Sequence, residues 1–106
     1  MENVMFHVTR AYAHMGHIEA QHKLGKHYHQ GFGVVRNKSV AMHWFKQAAD
    51  NGHPEAMYHL AQGHIDGHIR LQHREAHRLM HHAAAKGVKQ ALHTLNHICS
   101  NKGNCD

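Results

Sequence analysis

The sequence predicts an all-α fold, a solenoid of stacked helix pairs, and three observations carry that prediction. The chain repeats itself: Gly16-His17-Ile18-Glu19-Ala20 returns as Gly52-His53-Pro54-Glu55-Ala56, an offset of 36. Its composition is helical, with Pro54 the one proline, many alanines and no β-branched runs. Apolar residues recur at helical spacing, as in Ala20, Leu24 and Tyr28, each four apart. At 106 residues this is one domain, large enough to bury a modest core.

The elements follow in order. Residues 1–15 form an N-terminal helix whose end, Tyr12-Ala13-His14-Met15-Gly16, matches Ala48-Ala49-Asp50-Asn51-Gly52. Residues 16–51 are a first full copy: a helix over 18–30, a break at Gly31-Phe32-Gly33-Val34, and a second helix capped by Asn37 or Ser39. The apolar face of that second helix is Ala41, Trp44, Phe45, Ala48 and Ala49, and Gly52 ends it with a left-handed cap. Residues 52–86 repeat the unit one residue shorter, so that Ala41 falls on Ala76, Phe45 on Met80 and Gly52 on Gly87. Residues 87–101 are a third first-helix, and 102–106 a tail. One helix pair cannot bury its own apolar face, so stacking supplies the core and the end halves cap it.

The run Ala20-x-x-x-Leu24-Gly25-x-x-Tyr28-x-x-Gly31-x-Gly33-Val34-x-x-Asn37-x-x-x-Ala41-x-x-Trp44-Phe45-x-x-Ala48-Ala49-x-x-Gly52 resembles the Sel1-like, tetratricopeptide-related repeat, over roughly residues 11–99. The second copy departs from the pattern: Ala61 stands for the glycine after leucine, His64 for the tyrosine, Leu79-Met80 for Trp-Phe, and the loop has lost its second glycine. The resemblance implies a right-handed superhelix whose first helices line a concave surface. It also implies a protein-binding role: an adaptor, a regulator or an immunity-type inhibitor.

Carried onto this chain, the concave positions are Glu19, His22, Lys26 and His29, then Glu55, Tyr58, Gln62 and Ile65, then Gln90, His93 and His97. Such histidine, tyrosine and amide side chains combine flat apolar area with a hydrogen-bonding tip. The competing reading is an ordinary solvated helix face. Basic residues concentrate toward the C-terminus: residues 67–106 hold six basic and two acidic residues, residues 1–66 six and five. The expected partner is therefore another protein with an acidic surface.

Histidine is the compositional anomaly, 17 of 106 residues spread from His7 to His97. Three readings compete. The first is metal binding: His73, His77 and His81 share one helix side at spacings of four, although Arg74 and Arg78 flank them and would repel a cation. The second is a pH switch, because histidines titrating near pH 6.5 would add charge to a chain already at +5. The third, expected for most of them, is plain replacement of other polar residues at the surface, as at His17 and His53.

Other functions find little support. No nucleophile elbow, phosphate loop or paired-carboxylate signature occurs, so no catalytic residue and no cofactor is expected. Without aromatic interleaving or an arginine-rich run, nucleic acid is not the expected partner. No stretch is apolar enough to span a membrane, and the start lacks a secretory pattern, so a cytoplasmic location is expected. Cys99 and Cys105 are expected reduced, with a local bridge as the alternative. Exposed solenoid ends could pair two copies as a homodimer.

Overall fold

The computed structural model describes residues 4–102, and side chains as far as residue 97. The expected Cys99–Cys105 chemistry and the 102–106 tail thus fall largely outside the described residues. Six helices run in sequence: α1 (Val4–His14), α2 (Ile18–Gln30), α3 (Lys38–Asp50), α4 (Pro54–Asp66), α5 (His73–Ala85) and α6 (Lys89–Lys102). Each packs chiefly on the helix before and the helix after it, giving an all-α repeat solenoid of 49 × 22 × 22 Å.

The repeat is written into the backbone at its corners. The His17 N–H donates to the Tyr12 carbonyl at 3.1 Å, His53 to Ala48 at 3.0 Å and Val88 to Ala83 at 3.1 Å. These are the same six-to-one helix closure made three times. Each closure needs a left-handed residue, and Gly16, Gly52 and Gly87 supply it at φ +93, +94 and +95°.

The loop inside the first pair runs as the sequence expects. Gly31 caps α2, the Asn37 N–H donates to the Tyr28 carbonyl at 2.9 Å, and Asn37 Oδ1 caps α3 by accepting from Val40 at 3.1 Å. Of the two expected caps, Asn37 is the one used. In the second copy His64 takes the tyrosine's place, and its Nδ1 accepts the Leu71 N–H at 3.0 Å. The side chain thereby does locally what a backbone carbonyl does in copy one. Ile69 of that loop packs against both the Ala41–Met42–Phe45 cluster and the C-terminal core. The missing glycine therefore leaves a second loop that is still anchored at both ends.

The core is a chain of small clusters, as nearest-neighbour stacking requires. Phe6, Ala13 and Leu24 join α1 to α2, with Trp44 and Tyr28 packed against them. Ala41, Met42 and Phe45 continue it, and Ala48 through Leu95 complete it. Alanines at Ala48, Ala56, Ala83 and Ala91 are fully buried, which lets helix backbones approach closely. Among the described residues the one buried amide, Gln21, is satisfied: it donates to the Ala13 carbonyl and accepts from Asn51 Nδ2 at 3.2 Å, tying three helices together.

Candidate functional site

The first helices of successive units, α2, α4 and α6, present the expected face, and α2 meets α4 where His22 approaches Glu55 and His59. Of the residues expected on this face, Glu19, Lys26, Glu55, Ile65, Gln90, His93 and His97 are exposed, and His29, Tyr58 and Gln62 are half-buried. Gln62 donates to Asp66 at 3.2 Å, so part of its amide is already engaged.

His22 differs from the expectation. Its ring is only 2% exposed, so it cannot present an imidazole to a partner. The cause is packing: it stacks on His53 with centroids 4.2 Å apart and on His59 at 5.3 Å, and meets Phe45 at 5.9 Å. Neither ring nitrogen has a hydrogen-bond partner. Nδ1 lies 3.9 Å from Glu19 and Nε2 3.7 Å from Glu55, so the ring sits between two carboxylates without touching either. Burial, reinforced by His53, pushes its pKa down to about 4, against the pull of Glu19. His59, stacked on Phe45 at 4.8 Å, is likewise pushed to about 4 by burial.

His53 is more than a surface substitute. Its Nδ1 accepts the Ala56 N–H at 3.1 Å and so caps α4, and Pro54 fills the first helical position. That bond places the ring proton on Nε2, which donates to Glu19 Oε2 at 2.8 Å across the joint between the two units. The bond from His53 holds the Glu19 carboxyl below its ordinary pKa. The equivalent His17 makes no side-chain cap bond. Sequence carried part of this signal, since Glu19 and Glu55 are repeat equivalents. It carried nothing about which ring would fill the space between them.

The His73-His77-His81 stripe is only partly assembled. His77 and His81 meet Nε2 to Nε2 at 3.0 Å, but His73 does not complete a three-donor group with them. Elsewhere, the α3–α4 and α5–α6 corners frame an open cleft of about 480 Å³ lined by Glu55 and by Lys86 and Lys89. On the outer side of α1, Val4, Met5, Val8 and Tyr12 are exposed, with Met15 of the following turn, opposite the buried Phe6, Thr9 and Ala13.

The Sel1 repeat model matches residues 18–53 and 54–88, two adjacent units meeting where His53 caps α4. The chain belongs to the Sel1 repeat family. Sel1 repeat proteins generally mediate protein–protein interaction, and their fold is typically a non-catalytic scaffold. Solved Sel1 relatives include a Sel1 repeat protein from Oxalobacter formigenes, with TM-score 0.81 and 25% identity, covering 93% of this chain and 41% of that one. A second is c5321, a protective antigen of uropathogenic Escherichia coli displaying the same repeat fold. It has TM-score 0.81 and 31% identity, covering 96% of this chain and 22% of that one. The ERAD-associated E3 ubiquitin-protein ligase component HRD3A of Arabidopsis thaliana is 35% identical over 57 residues, 53% of this Sel1 chain and 8% of the relative. The Sel1 units here thus span less than half the length of each of these proteins. Among the described residues, no helix is long and apolar enough to cross a membrane.

Proposed function

We propose that this chain is a protein-binding module, an adaptor, regulator or immunity-type inhibitor, that holds its partner along the α2–α4–α6 face. The observation that supports this is the row of accessible side chains on successive first helices: Glu19 and Lys26, then Glu55 and half-buried Tyr58, then His93 and His97. Tyrosine at the centre of such a row and histidine at its end suit an interface, where flat rings anchor and polar tips confer specificity. The cleft edged by Lys86 and Lys89 extends the same region toward the basic C-terminal half and favours an acidic partner surface.

The test is affinity capture with tagged chain, followed by variants measured against the captured protein. Tyr58→Ala and His93→Ala should weaken the complex, while Lys46→Ala on α3, outside this row, should not. Equal capture by all three would refute the assignment. His22 is unsuited to the experiment, because its replacement reads out on packing.

A further inference from the structure

The geometry points to a divalent transition-metal site, of the zinc, nickel or copper class, at the joint between the two units, with Glu19, His22 and His53 as ligands. This site goes beyond the protein-binding reading and does not depend on it. Donor atoms of the three residues all lie within 4.8 Å of one another. They are not the histidines that helical spacing singles out; they come from α2 and from the α3–α4 corner, two segments that the sequence separates by some thirty residues.

Chemistry and packing both support the assignment. Two imidazoles and a carboxylate are a donor set that these metals favour, at metal–ligand distances of about 2.0–2.2 Å for zinc. His22 supplies an independent pointer: its ring is 2% exposed, and both nitrogens are unpartnered. Native proteins seldom leave such a group unpaired. Its Nδ1 faces Glu19 and its Nε2 faces Glu55. A metal taken on Nδ1 leaves Nε2–H directed toward the Glu55 carboxylate, the outer-shell arrangement that orients a metal-bound histidine. The ring is already fixed by stacking on His53 and His59, so little reorganisation is needed. Lys23 and Lys26 oppose a cation here, but both act on His22 more weakly than Glu19 does.

Binding has a specific cost within the fold. A neutral imidazole carries one N–H, and His53 holds its proton on Nε2 because Nδ1 accepts from Ala56. Coordination through Nε2 takes that proton from the Glu19 bond and moves it to Nδ1, which then can no longer accept the Ala56 N–H. Metal uptake therefore competes with the cap of α4 while pinning one unit to the next.

Seventeen histidines make metal binding alone uninformative, so the test must discriminate sites. Full-length, tag-free, chelator-stripped protein is titrated with Zn²⁺ by calorimetry and melted with and without it. One site tighter than the histidine background and a raised melting temperature are expected. Glu19→Gln and His53→Asn should each weaken that site by roughly tenfold or more and abolish the thermal shift. Asparagine preserves the cap and glutamine the side-chain size, so circular dichroism should show both variants folded. A His77→Asn/His81→Asn double variant should keep site and shift. As a second readout, Co²⁺ in the wild-type protein should give the strong visible bands of a four-coordinate ion, lost in Glu19→Gln. No tight site, no such bands, or a tight site that survives Glu19→Gln and His53→Asn would each overturn the proposal.

Discussion

The ring of Phe45 lies so close to Gly25 that a methyl placed there would stand 2.6 Å from its Cε1 and 2.7 Å from its Cδ1. This is the α2–α3 contact, and it explains why the helix interior tolerates a residue of poor helical propensity. Gly63 is in a similar position against Met42, although its obstacle is a flexible thioether. Gly25→Ala should therefore be destabilising by about 1–2 kcal/mol. Overpacking costs roughly 1–3 kcal/mol, offset by about 1 kcal/mol of helix propensity. Gly63→Ala should cost less than Gly25→Ala, because Met42, although buried, is more flexible than a ring. Urea denaturation of both variants checks this, and equal losses would contradict the rigid-ring explanation.

Acid should destabilise the metal-free protein, and buried histidines set the direction. His22 and His59 are held neutral down to about pH 4 by burial, and burial also lowers His29. In the unfolded chain the same rings titrate near 6.5. Between those values the unfolded state binds protons that the folded state refuses. Stability is thus fully present above about 6.5 and declines as pH falls toward 4. With chelator present, the melting temperature at pH 5.5 should be lower than at pH 7.5 by roughly 5 °C or more. His59→Phe, which keeps a ring against Phe45, should reduce that difference. An unchanged midpoint between the two pH values would sink the argument.

The fold was legible because repetition fixes it many times over: glycines at 16, 52 and 87, and the alternation of small and large apolar residues, each specify the same helix pair. The concave row was legible as a set of positions, since helical spacing assigns a face. Spacing does not say whether a ring on that face turns out to solvent or folds into the joint beneath. His22 turned in because His53 and His59 of the next unit offer it stacking surfaces and Phe45 meets it at a tilt. Likewise His73, His77 and His81 have perfect spacing, yet three donors on one helix turn at a time diverge too far to converge on one ion. The Glu19–His22–His53 group has no sequence spacing to recognise, because the corner at Gly52 brings its members together.

The second loop depends on a side chain where the first depends on backbone. His64→Ala removes the acceptor for the Leu71 N–H and should cost about 1–2 kcal/mol, the scale of a part-buried hydrogen bond left unmade. The loss should concentrate locally, with faster amide exchange at Leu71 and Ile69 while α2 and α3 stay protected. Uniform loss of protection would mean that the loop is not a separately anchored element.

His53 joins two functions that substitutions can separate. Its Nδ1 caps α4, and its Nε2–H bridges to Glu19 at the surface. In chelator, His53→Ala should lose the N-cap, usually about 1 kcal/mol, and in addition the ring that stacks on buried His22. His53→Asn, which caps well but neither reaches Glu19 in the same way nor stacks on His22, should recover the cap portion of that loss. Glu19→Gln should cost little, because the bridged carboxylate is largely exposed and such surface pairs contribute about 0–1 kcal/mol. Thermal melts at pH 7.5 rank the three. If Glu19→Gln proved the most damaging, the joint would be held by the inter-unit bridge, and the cap would be secondary.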